Sequence, residues 1–199
     1  MGSIVAIVGR PNVGKSTLFN RLHGERKAII DDISGVTRDR IYGASDWNGK
    51  KFTVVDTGGF VHGSEEVFEA AIRTQVKIAI DEASVIVFMV DVTTGITDLD
   101  ENVAEMLRKC KKTVFLAVNK VDNNQRLLLA NEFWSLGFEN TFFLSSITGS
   151  GTGELLDAVA TEIEDEPDID ESIPKIAIVG QPNVGKSSLT NVLLGEDRN

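Results

Sequence analysis

Short apolar runs punctuate the chain, and polar, periodic stretches separate them. Residues 4–8, 85–90 and 113–118 read Ile-Val-Ala-Ile-Val, Val-Ile-Val-Phe-Met-Val and Thr-Val-Phe-Leu-Ala-Val. Runs with so few polar positions fit strands covered on both faces, as in a parallel sheet. Segments 41–48 and 51–55 flank Asn48-Gly49, a pair that tolerates positive φ and predicts an antiparallel edge hairpin. A further short strand is predicted over 141–144. Helices are predicted over 15–23, 65–82, 99–110, 124–136 and 152–164, the last with Leu155, Leu156, Val159 and Ile163 on one stripe. Strands alternating with helices predict a three-layer α/β domain.

Compared with itself, the chain shows a repeat: Val5 to Glu25 aligns with Ile176 to Glu196 without gaps, 15 of 21 positions being identical. Between the copies, Glu162 to Ser172 holds seven acids and no base, a density that disfavours packing and predicts a linker. The organisation expected is a first domain over 1–161, an acidic linker over 162–173, and over 174–199 the truncated start of a second copy. On this expectation the chain is part of something longer.

Composition narrows the class. With 199 residues, a single cysteine (Cys110) and a net charge of -10, a self-sufficient core without disulfides is expected, in a reducing cytoplasm. The acidic balance argues against broad capture of nucleic acid or anionic membrane, and no such surface is read here. No run approaches a bilayer span, and the N-terminus has no basic region or cleavage site. Met1-Gly2-Ser3 opens like a myristoylation signal, but Ala6 stands where that signal wants Ser or Thr.

The repeated segment carries the chemistry. Gly9, Arg10, Pro11, Asn12, Val13, Gly14, Lys15, Ser16 and Thr17 span a Gly-x4-Gly-Lys-Ser pattern where a strand hands over to a helix. Glycines permit a tight loop, successive backbone NH groups can face an anion, and the helix N-terminus adds positive potential. Lys15 is then placed for β and γ phosphates, and the Ser16 hydroxyl for Mg²⁺. Gly180, Gln181, Pro182, Asn183, Val184, Gly185, Lys186 and Ser187 repeat the pattern.

Base choice needs other residues. Asn119, Lys120, Val121 and Asp122 follow the strand ending at Val118. A carboxylate at Asp122 can accept from guanine's ring NH and amine, a donor pair adenine lacks, so the expected ligand is GTP or GDP. Lys120 can lie along the base, and Asn119 can tie this loop to the phosphate loop. Ser145 and Ser146 follow the next strand, and their backbone NH groups can reach the guanine carbonyl. Asp56, Thr57, Gly58 and Gly59 end another strand, where an aspartate can hold Mg²⁺ through water and the Gly59 NH can meet the γ phosphate. Thr37, in a polar segment over about 25–40, is placed to complete the Mg²⁺ shell when a γ phosphate is present, so both segments can act as switches.

In this order the motifs resemble the five G motifs of translation-factor-class GTPases, and the duplicated Pro-Asn-Val-Gly-Lys-Ser with an acidic linker resembles the bacterial Der (EngA) double-GTPase family. The resemblance covers the whole chain. It implies a P-loop NTPase of Ras-like G-domain type, with a mostly parallel six-stranded sheet and one antiparallel edge hairpin. It further implies GTP hydrolysis, a role in large ribosomal subunit (50S) biogenesis, and the ribosomal subunit as partner; a monomer is expected. That family continues with a complete second G domain and a KH-like domain, and residues 174–199 carry no second switch or base motif. Phe60 stands where Ras-like enzymes have a water-orienting glutamine, and a phenyl ring cannot hydrogen-bond to that water. Catalysis then falls to Lys15, Thr37, Gly59 and charge neutralisation. GTPases resembling this one depend on a monovalent cation, which makes Asn12 the candidate K⁺ ligand.

Alternatives stay open. The chain can be a nucleotide-gated binding module with negligible hydrolysis, or a relative in tRNA modification or iron transport, though those carry one G domain. Arg38 or Arg40 as an internal finger, and Glu65 or Glu66 as water-orienting groups, also stay open. His23 and His62 lack partners at metal spacing, and Trp47, Trp134, Phe142 and Phe143 read as packing residues.

Overall fold

The computed structural model describes residues 3–23, 41–57 and 65–164, without the side chains of 65–69, and beyond these only Leu189 and Val192. The chain divides into two compact units, Met1–Glu166 and Pro167–Asn199. The first carries β1 (Ile4–Val8), α1 (Lys15–His23), β2 (Ile41–Trp47), β3 (Lys50–Asp56), α2 (Glu65–Glu82), β4 (Val85–Asp91), α3 (Asp98–Arg108), β5 (Thr113–Asn119), α4 (Asn124–Ala130), β6 (Thr141–Phe143) and α5 (Thr152–Thr161).

The strands form one six-stranded sheet in the order β2-β3-β1-β4-β5-β6, parallel except for the β2–β3 hairpin. This is the expected Ras-like architecture. Asn48 and Gly49 take φ of 49° and 81° at the hairpin turn, so the local signal is honoured. The Trp47 indole and the Asn48 amide donate to Asp157 on α5 at 2.7 and 2.9 Å, fastening the turn to that helix.

Alternation along the buried strands makes the three layers. From β4, Ile86, Phe88 and Val90 enter one core with Ile72 and Val76 of α2 and Val103 and Leu107 of α3. Val85, Val87 and Met89 enter the other, with Leu18 and Phe19 of α1 and Leu155 and Val159 of α5. Burial of each such side chain contributes about 1.5–3 kcal/mol.

One predicted helix differs. Residues 124–136 form α4 only to Ala130 and then tighten into a 3₁₀ turn over Asn131–Leu136. The Asn131 amide donates back to Leu128 O at 3.1 Å and the Ser135 hydroxyl to Glu132 O at 2.7 Å, local bonds that compete with the helical ladder. Tightening turns Phe133 and Leu136 into the core. α3 begins at Asp98, behind a Thr97–Asp100 capping box, and ends at Arg108, where the NH groups of Lys109 and Cys110 bond three residues back. α5 stops at Thr161 for the same reason.

β1 pairs with β3 on one side and β4 on the other. The crevice beyond the strand ends at such a reversal is where open α/β sheets bind ligands. Register brings Asp56 level with Ile7 and Asp91 level with Asn119.

Candidate nucleotide-binding site

The β1–α1 loop has the conformation that a cradle needs. Gly9 takes φ of 147°, and a Cβ there would lie 2.3 Å from Met89 O. Gly14 takes φ of 104°, and its Cβ would meet Asn119 Nδ2 at 2.2 Å. Only glycine fits at either position. Asn12 adopts a left-handed φ of 66° without being glycine, a strained choice typical of functional loops. Val13 is buried beneath the loop, whereas Pro11, Asn12, Ser16 and Thr17 are exposed along it.

Lys15 is 6% exposed. Its ammonium donates to Gly9 O and Arg10 O, each at 2.8 Å. Burial pushes its pKa down to about 8, Asp56 pulling it up and Arg10 adding to the fall. A buried ammonium held by neutral carbonyls has an unmet preference for an anion.

The Ser16 hydroxyl donates to Asp56 Oδ2 at 2.7 Å. A hydroxyl and a carboxylate side by side at the loop's edge are hard oxygen donors that fit Mg²⁺. Thr57 fastens this strand end, its hydroxyl donating to Ile7 O at 2.8 Å.

Asn119 joins the remaining loops. It is 3% exposed; its Nδ2 donates to Val13 O at 2.7 Å and its Oδ1 accepts from the Ser146 NH at 2.8 Å. The phosphate loop, the β5–α4 loop and the β6–α5 loop thus meet on one amide. Val121 extends the arrangement, its NH donating to Leu144 O at 3.0 Å. Lys120 takes a left-handed φ of 66°, and its ammonium bonds Asp91 Oδ2 at 2.5 Å and Asn12 O at 3.2 Å.

Some groups have partners already. Asp122 Oδ2 accepts from Arg126 at 2.6 Å and its Oδ1 from the Asn123 amide at 2.9 Å. The Ser145 NH donates to Ser150 O at 2.9 Å, and the Ser146 NH is held by Asn119. A guanine carbonyl would compete for these NH groups. Asp122 would have to exchange one donor pair for another.

Thr37, Gly58, Gly59 and Phe60 lie outside the described residues, as do Gly180, Gln181, Pro182, Asn183, Val184, Gly185, Lys186 and Ser187, together with Arg38, Arg40, His62 and residues 165–173 of the linker. His23 is buried, stacked on Phe19, with Nδ1 3.0 Å from Ala44 O. Among the described residues no group of three or more His, Cys, Asp or Glu could hold a metal ion, and no helix is long and apolar enough to cross a membrane.

Several supporting contacts escape motif reading. Arg10 donates from Nε to Asp100 Oδ2 at 3.2 Å and from Nη2 to the Thr94 hydroxyl. Arg21 of α1 donates to Ser146 O at 2.7 Å and Ile147 O at 2.6 Å, bracing the serine loop. Asp91 is buried; that burial works to raise its pKa, but hydrogen bonds from Lys120 and Thr93 outweigh it and hold the carboxyl below its usual value. The one available signal is weak: an aspartate ending an otherwise apolar strand.

Comparison with known proteins gives the family. A family profile described as 50S ribosome-binding GTPase matches residues 4–120 and 175–199. GTPase Der of Christiangramia forsetii is 61% identical over 199 residues, covering 100% of this chain and 46% of the relative; GTPase Der of Flavobacterium johnsoniae is 59% identical over 98% of this chain and 46% of its own length. The chain therefore spans about half the length of these curated relatives. Among solved structures, Era from Aquifex aeolicus bound to GDP and AlF4⁻ superposes with a TM-score of 0.66 at 30% identity, covering 87% of this chain and 61% of Era. The G domain of the T. maritima FeoB iron transporter shares the fold, with a TM-score of 0.62 at 24% identity over 80% of this chain and 98% of that one. With the profile spanning both copies of the repeat, the chain belongs to the 50S ribosome-binding GTPase family.

Proposed function

We propose that this chain binds GTP and hydrolyses it to GDP and phosphate as a switch, and that it acts in 50S subunit assembly as a cytoplasmic monomer. The observation that carries the reading is Asn119, whose amide joins the phosphate loop to both base-side loops. The family description and the Der relatives support it, and a neighbour solved with MgGDPNP supports its nucleotide-binding part.

In this reading Lys15 exchanges its carbonyl partners for β and γ phosphate oxygens, which satisfies the preference that burial creates. Ser16, Asp56 and Thr37 would hold Mg²⁺, Thr37 when a γ phosphate is present. Bound there, the ion supplies charge neutralisation at the phosphoryl oxygens. Asp122 selects guanine, Lys120 covers the base, and Gly58, Gly59 and Phe60 line the γ phosphate. Since Phe60 offers no hydrogen bond to water, intrinsic turnover is slow, and Asn12 would hold K⁺, which would supply added positive charge beside the phosphates. Residues 1–161 form the G domain, 162–173 the linker, and 174–199 begin a second domain that repeats the phosphate-loop pattern.

Single-turnover hydrolysis in KCl and in NaCl at equal ionic strength tests the enzymatic part. Faster hydrolysis in KCl is expected. Equal rates remove the K⁺ role, and binding without hydrolysis in either salt leaves a nucleotide-gated module. Co-sedimentation of the chain with 50S subunits, loaded with a GTP analogue or GDP, tests the partner; identical pelleting in both states contradicts switching.

A further inference from the structure

We propose that Asp91, at the C-terminal end of β4, is a positioning residue for the purine, anchoring the Lys120 ammonium so that the base loop stays in register with the phosphate loop. This rests on the nucleotide reading above.

Asp91 belongs to no motif, yet both its carboxylate oxygens are engaged and it is 2% exposed. Oδ1 accepts from the Thr93 NH at 2.9 Å and the Thr93 hydroxyl at 2.7 Å, which fixes the carboxylate plane. Oδ2 is left facing Lys120 Nζ at 2.5 Å. The backbone helps, because Asp91 is the register partner of Asn119 and the Val92 NH donates to Asn119 O at 3.2 Å.

Lys120 is therefore held at both ends: its backbone by the left-handed φ, its ammonium by Asp91 and Asn12 O. An unanchored lysine would lose its rotamer freedom on covering a base, and that loss opposes binding. Here it has been lost beforehand. Just after Asp91, Thr94 of the β4–α3 loop and Asp100 in the first turn of α3 grip Arg10, so this one stretch of chain steadies both the base side and the phosphate side.

A double-mutant cycle on the 199-residue chain, read as GDP affinity by fluorescent-nucleotide displacement, tests this. Asp91→Ala should weaken GDP about 10-fold or more, the scale of a hydrogen bond between charged groups. Asp91→Asn, which keeps the shape and one acceptor, should lose less. In a Lys120→Ala background, which itself weakens GDP, either Asp91 substitution should change affinity by less than about 2-fold, because its effect runs through the lysine. Should Asp91→Ala fail to fold, Asp91→Asn enters the same cycle. The inference is overturned if Asp91 variants bind GDP like the parent, if Lys120→Ala alone has no effect, or if the losses simply add. Failure of the parent chain to bind GDP overturns the nucleotide reading and this inference with it.

Discussion

Replacing Asn119 with alanine is the sharpest test of how the site is assembled. The substitution deletes two buried hydrogen bonds, to Val13 O at 2.7 Å and from the Ser146 NH at 2.8 Å. Alanine offers neither donor nor acceptor, so a carbonyl in the phosphate loop and an NH in the serine loop lose their partner together. An unsatisfied buried group costs about 1–3 kcal/mol. Water entering the vacated space offsets part of this, leaving a destabilisation of about 2–4 kcal/mol. At roughly 2–4 °C per kcal/mol for a domain of this size, Tm should fall by about 4–16 °C. Nucleotide-free protein followed by circular dichroism during heating, with urea unfolding alongside, gives both numbers. GDP affinity should fall as well, since loops that the amide held together must be ordered by the ligand. A Tm within about 1 °C of the parent, with unchanged GDP affinity, would refute the reasoning that Asn119 is the joint between the loops.

Other consequences are as direct. Lys15 sits near pKa 8 because of burial; phosphates favour its charged form, so the bound-state pKa is higher. GDP affinity should then be full below pH 8 and fall as pH rises through it, whereas a flat profile between about pH 7 and 9.5 would contradict this. Lys15→Arg, charged throughout, should bind more weakly but without the slope. Asp122→Ala should cost GDP about 1–3 kcal/mol and, by removing the carboxylate that penalises adenine, leave ADP no weaker in a competition assay, so that the preference for GDP narrows. Arg126→Ala, which removes the half-exposed partner of Asp122, should shift stability by no more than about 1 kcal/mol.

What could be read from the sequence was local. The Asn48-Gly49 turn, the glycines at 9 and 14 and the apolar strand runs each state a requirement within a few residues, and each appears where expected. The supporting contacts were not legible, because their partners lie far apart in the chain: Lys120 and Asp91 by 29 positions, Arg10 and Asp100 by 90, Arg21 and Ser146 by 125. Nothing in the spelling of residues 119–122 announces that Asp122 rests against Arg126 before any ligand arrives. The break at Asn131 was hidden for a different reason. A 3₁₀ turn and an α-helix present similar apolar spacing over six residues, and side-chain bonds to the backbone decided between them.

Calorimetric titration of the chain with GDP and with ADP, both in Mg²⁺, asks whether these loops make a guanine-nucleotide site. One GDP per chain is predicted, bound at least about 100-fold more tightly than ADP, since an unpaired Asp122 carboxylate penalises the wrong base. Equal affinities for the two nucleotides, or no heat with either, would contradict the account.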